Sequence, residues 1–174
     1  SVRVKAAALI ALGRIGDKAA IPHLLSIEVP DSFRAPSFGE EGPHATPNSE
    51  IILPHLAVRA LVALEADKES LNAVGKENSK IGLWALRYMH SKAAVEGLIA
   101  KYNGSGTEDL ELKQGILTTL ARLYTKEAPY DGSWWWGTRP DTHGPYYKSV
   151  LWAGSAQIKE LFENIWDNGT IGER

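Results

Sequence analysis

The chain has no cysteine, which excludes disulfides, thiolate catalysis, cysteine-ligated zinc and covalent c-type haem attachment within it. It also lacks an excess of one charge. A net charge of −2 at pH 7 is far from the basic footprint of a duplex nucleic-acid binder, so no nucleic acid is expected as a partner. Long apolar runs are missing: no segment reaches the roughly 20 residues needed to cross a bilayer, and the N-terminus carries no signal-peptide pattern. There is no Gly-rich phosphate loop, no nucleophile elbow and no His-Glu-x-x-His pattern. Helical periodicity is already running at Ser1-Val2-Arg3-Val4-Lys5, and the single methionine is Met89, so the chain reads as a fragment of a larger protein. What is present is a 44% hydrophobic composition over 174 residues, enough for one domain, 1–174, with a real core.

Internal repetition organises that domain. The stretch from Ala11 to Leu25 aligns without a gap on Ala85 to Ile99, pairing Ala11-Leu12 with Ala85-Leu86, Asp17 with Ser91, and Leu24 with Leu98. A further copy begins at Ala60-Leu61-Val62-Ala63-Leu64 and continues into Asp67-Lys68, and another runs from Gly115 to Arg122. Each copy reads as a helix, a tight turn and a second helix. In the first, Val4, Ala8, Ala11, Leu12 and Ile15 recur at helical spacing, Gly13 and Gly16 loosen the helix end, and Asp17 caps the next helix, as Ser91 does in its copy. Pro22 fits only near a helix start. One such hairpin cannot bury its apolar faces alone, so the copies should stack.

The Ala11-Leu-Gly-Arg-Ile-Gly-Asp-Lys-Ala-Ala-Ile-Pro-His-Leu24 run resembles the short bacterial type of HEAT repeat, and in degenerate form the resemblance covers residues 2–128. It implies an all-α fold, an α-solenoid of about four HEAT-like helical hairpins with two irregular insertions. It also implies a scaffold that binds, and no chemistry.

The first insertion, residues 28–54, holds five of the nine prolines and cannot be one helix. Phe33, Phe38, Ile51, Ile52 and Leu53 give it apolar anchors. Further on, Thr107 is expected to cap a helix with Glu108 and Asp109 in its first turn. That helix should run to Leu123 or Tyr124, with Leu112, Ile116, Leu120 and Leu123 on its buried face. Its partner should resume at Ser155 to Trp166, with Ile158, Leu161, Phe162, Ile165 and Trp166 as the apolar stripe.

Between them lies the second insertion, residues 129–154, with Trp134, Trp135, Trp136, Arg139, Asp141, His143, Tyr146 and Tyr147. Three consecutive tryptophans cannot all face one core, because successive side chains diverge. Trp and Tyr suit contact surfaces and stack on sugars, and Arg139 offers a planar fork for an anion, with Asp141 near enough to orient it. The same residues equally suit a cap: an Arg/Asp pair satisfying loop backbone, and aromatics covering the last repeat. No metal site and no cofactor are expected. His143 has no second His at ligand spacing, while His23, His55 and His90 sit on helices or turns, and His44 lies beside Glu40 and Glu41.

Ala121-Arg122-Leu123-Tyr124, then Glu127 to Thr142 and Gly144-Pro145-Tyr146-Tyr147, resembles a segment of large exported bacterial proteins. In these, HEAT-like repeats accompany a sugar-dehydrogenase-like propeller and a c-type cytochrome domain. That resemblance implies a periplasmic or extracellular multidomain setting. It carries no haem or dehydrogenase activity to these residues, which hold no Cys-x-x-Cys-His motif. The leading expectation is a non-catalytic scaffold or interaction module whose partners are other domains of the parent or a separate protein. The alternative is a carbohydrate- or anion-binding site in the aromatic insertion.

Overall fold

Residues one repeat apart in the sequence occupy the same depth in the structure. The computed structural model describes residues 1–30, 49–129 and 148–169. Within these, Leu24 and Leu98 are both fully buried, and Ile21 with Val95 and Ala20 with Ala94 are buried as pairs. Among the described residues eight α-helices form four hairpins: α1 (Val2–Ile15) with α2 (Ile21–Leu25), α3 (Ile52–Ala63) with α4 (Asp67–Ala73), α5 (Ser79–Leu86) with α6 (Lys92–Gly104), and α7 (Leu110–Leu123) with α8 (Ser155–Asn168). In one row α1 packs on α3, α3 on α5 and α5 on α7; in the other α2 meets α4, α4 meets α6 and α6 meets α8. This is an all-α helical-repeat fold.

Local chemistry sets the turns. Gly16 ends α1 in the left-handed region at φ 79°, its N–H donating to the carbonyl of Leu12. The carboxylate of Asp17 then accepts from the amide of Ala19 at 2.9 Å, opening a 3-10 turn over Lys18–Ala20 that leads into α2, where Pro22 stands in the first turn. Ser91 caps α6 in the same way, its hydroxyl accepting from the amide of Ala94 at 3.1 Å. That hydroxyl also donates to Asp67 Oδ2 at 2.9 Å, tying the turn of the third hairpin to the start of α4. Helix α3 ends differently. Glu65 adopts φ 52°, and the amide of Ala66 donates back to the carbonyl of Leu61, the 6→1 bond of a Schellman end.

Stacking explains where equivalent residues part company. Ala85 and Leu86 are fully buried because α5 has α3 on one side and α7 on the other. Their counterparts Ala11 and Leu12 are exposed and half-buried, since α1 packs only on α3 among its own row. The expected stripe of Val4, Ala8, Ala11 and Ile15 is therefore an uncovered face: Val4 is 68% exposed and Ile15 72%. Leu9, with Leu12 and Gly13 beside it, makes the buried line instead. Gly13 does not loosen a helix end. It lies inside α1, where a Cβ would stand 3.1 Å from Ala60 Cα, so its role is close approach to α3. Gly82 permits a tighter crossing still, since a Cβ there would meet the carbonyl oxygen of Ser70 on α4 at 2.8 Å.

Two further boundaries and one helix face differ from expectation. The segment 28–54 gives way to helix at its end: Ser49–Ile51 form a 3-10 turn and α3 begins at Ile52, placing Pro54 in the first turn and His55 within the helix. Helix α7 begins at Leu110, not after Thr107. The hydroxyl of Thr107 lies 3.4 Å from Glu108 Oε2, and Asp109 Oδ2 accepts from the amide of Gly106. Its end at Leu123 and its buried Ile116, Leu120 and Leu123 are as expected, with Leu112 half-buried. In α8 the stripe holds for Ile158, Leu161 and Ile165, but Trp166 is 71% exposed.

Candidate interaction surface

All eight aromatic-insertion residues singled out in the sequence, Trp134, Trp135, Trp136, Arg139, Asp141, His143, Tyr146 and Tyr147, lie outside the described residues. Phe33, Phe38 and His44 of the first insertion do too. What the structure places is the stem on which the second insertion stands. Strand β1 (Lys126–Glu127) pairs antiparallel with β2 (Ser149–Val150), Lys126 opposite Val150, and the amide of Ala128 donates to the carbonyl of Lys148 at 2.8 Å. The chain thus leaves α7 and returns to α8 side by side.

Side chains missed at the sequence level lock this stem to the repeat stack. The Trp152 indole Nε1 donates to the carbonyl of Leu123 at 2.7 Å, and the Ser155 hydroxyl donates to that of Tyr124 at 2.6 Å. These are carbonyls of the last turn of α7, which have no partner inside the helix. The Trp152 ring meets His90 edge-on, centroids 5.4 Å apart, and His90 Nε2 donates to the carbonyl of Thr125 at 2.9 Å. His90 follows the end of α5, so the ends of α5 and α7 and the start of α8 converge on one corner. A single Trp and a single His in different copies give no periodic signal, and only the tertiary fold brings them together.

The outer face of the last hairpin is an open groove of about 760 Å³, walled by Ala121 and Tyr124 of α7 and by Ile158, Phe162 and Trp166 along α8, with Lys159, Glu163 and Asp167 at its edge. Trp166 stands here because of helix geometry. At about 100° per residue it falls about 20° from Lys159 and about 60° from Glu163, seven and three positions earlier, and about 80–140° to the other side of it lie Ile158, Leu161 and Ile165. That arithmetic was available in the sequence. A second groove of about 520 Å³, between α6 and α8, has Ile99, Ala100 and Leu161 in its lining and Glu96, Asn103, Gln157, Glu160 and Asn164 around them. Among the described residues no group of three or more His, Asp or Glu gathers in reach of a metal ion, and no helix is long and apolar enough to cross a membrane.

The groove can accept an apolar surface and orient it by charge at its rim; among the described residues that line it, no nucleophile is paired with a base. No curated protein and no solved structure matches the chain. Residues 4–27, the first hairpin with the Ala11–Leu24 signature inside it, match the family model described as PBS lyase HEAT-like repeat.

Proposed function

We propose that this chain is a non-catalytic helical-repeat interaction module, and that the α7–α8 groove docks a helical hairpin supplied by another domain of the parent protein or by a separate protein. The observation that carries this reading is Trp166, 71% exposed beside an apolar groove on the outer face of the last described hairpin. Every interior hairpin has its corresponding face covered by the next one, so the groove has the shape that helices of this stack already fill. Indole is also the side chain most enriched where binding energy concentrates. Helical repeats such as the one matched at residues 4–27 usually mediate protein interactions, which supports the same class of function.

The exported, multidomain setting rests on the resemblance of residues 121–147 alone. A carbohydrate- or anion-binding role for Trp134 to Tyr147 rests on residue chemistry alone. It is separable from the groove, because alanine at Arg139 or Trp135 should then abolish sugar or anion binding without changing the melting temperature.

The groove reading is tested with a photo-crosslinking amino acid at position 166 in the full-length parent, and at exposed Lys68 on α4 as the control. A discrete adduct to a helical segment from position 166 alone is the expected result. Equal, diffuse adducts from both positions would remove the support for a docking face.

A further inference from the structure

The side of α1 turned away from α3 is exposed where its counterpart one repeat on is buried. At the offset that pairs Ala11 with Ala85, Ala7 falls on Ile81, Ala8 on Gly82 and Ile15 on Met89. All four residues of the first hairpin are exposed and all four of the third are buried. Their neighbours account for the difference. Gly13 of α1 approaches Ala60 on α3, and Leu83 of α5 lies against Gly115 on α7, so these sides face the following hairpin. Gly82 lies instead against Ser70 and Ala73 of the preceding hairpin. The face of α1 that carries Ala8 therefore has the register of a surface covered by a helical hairpin.

Among the described residues, one hairpin has an outer face left open to cover it, α7–α8, and the two surfaces are opposite in size and charge. The α1 face is shallow, built on alanines, whereas the groove is bordered by the rings of Tyr124, Phe162 and Trp166. Large side chains pack best against small ones across a contact. Helix α1 carries Arg3, Lys5 and Arg14 and no acid, with Arg3 and Arg14 within about 20° of each other along one edge of the alanine face. The groove edge carries Glu163 and Asp167 against one Lys159. Lys159 pairs with Glu163 at 3.4 Å, and the edge keeps a net negative charge.

We propose that the occupant of the groove is the α1–α2 hairpin of a second copy of this chain, docked head to tail so that the repeat stack runs on from one molecule into the next. This rests on the groove being a docking face, and it names what docks there. The contact joins two different surfaces and does not close on itself, so each added molecule presents a further α1 face and a further groove. Like charge on two α1 faces, or on two groove edges, disfavours the symmetric pairings.

The test is sedimentation velocity of the 174-residue chain over a range of concentrations, with Ala11→Glu on the α1 face and Trp166→Glu in the groove. At about 1 µM the chain should be monomeric, and toward about 1 mM its mass should rise past that of two chains. Each variant alone should stay monomeric. An equal mixture of the two should form a one-to-one complex and stop there, because one variant keeps a sound groove and the other a sound α1 face. Both substitutions sit at exposed positions; Ile15→Asp, also exposed, replaces Ala11→Glu should that variant fail to fold. A wild-type chain that is monomeric throughout overturns the proposal and leaves the groove reading to the position-166 crosslinks. Association that Trp166→Glu abolishes and Ala11→Glu leaves intact overturns it too, since that is groove on groove, as does a mixture that restores no complex.

Discussion

The indole of Trp152 and the carbonyl of Leu123, 29 positions apart in sequence, are joined by a 2.7 Å hydrogen bond that anchors the return of the second insertion to the end of α7. Trp152→Phe keeps an aromatic ring and removes the donor. It should cost about 1–2 kcal/mol, read as a melting-temperature drop of about 2–8 °C for a domain of this size. Trp152→Ala should cost more, because the edge contact with His90 is lost as well.

At Gly82 the crossing of α4 and α5 leaves no room for a methyl group, with the Ser70 carbonyl oxygen 2.8 Å and Ala73 Cβ 3.1 Å from where a Cβ would stand. Gly82→Ala should destabilise by about 1–3 kcal/mol despite the better helix propensity of alanine. Gly104→Ala, at the end of α6 with nothing within 4 Å, should be neutral or stabilising by up to about 1 kcal/mol. Urea denaturation of the two variants gives the comparison.

Ser91 serves two bonds where Asp17 serves one. Asp17→Ala should cost about 1 kcal/mol as a lost cap. Ser91→Ala should cost about 1–2 kcal/mol, since the hydroxyl also donates to Asp67 Oδ2. In the Asp67→Ala background, which removes the acceptor, the difference between the two serine states should shrink, measured as a double-mutant cycle.

Glu65 holds a left-handed φ of 52° at the end of α3, the position that Gly16 fills after α1. Glu65→Gly should stabilise the chain by about 1 kcal/mol. Ser70, buried with no partner for its hydroxyl, offers the complementary change. Ser70→Ala should be neutral or stabilising, because the unmade hydrogen bond is removed with the group that needed it.

The hairpins were legible because their signals are local and repeated. Asp17 and Ser91 cap, Pro22 opens a helix, and Leu24 and Leu98 share one depth. Exposure at the ends of the stack was not legible from period alone. Val4 and Ile15 belong to an apolar stripe as regular as any in the chain, and only the neighbours of α1 decide that it is uncovered. The corner made by Trp152, His90 and Thr125 was hidden for a different reason. Its members come from separate copies and meet only after stacking, so no spacing rule connects them. Trp166 is off the buried stripe because register, not apolar character, decides its face. Following the register of Lys159 and Glu163 puts it in the groove.

The central claim is that the α7–α8 groove is a docking face, and hydroxyl-radical footprinting of Trp166 tests it most directly. In the 174-residue chain Trp166 should oxidise rapidly, as expected for an indole that is 71% exposed. With the proposed docking partner bound, the rate at Trp166 and Phe162 should fall several-fold while that of exposed Tyr88 stays constant. Equal oxidation of Trp166 in the isolated chain and in the assembled protein would contradict the account.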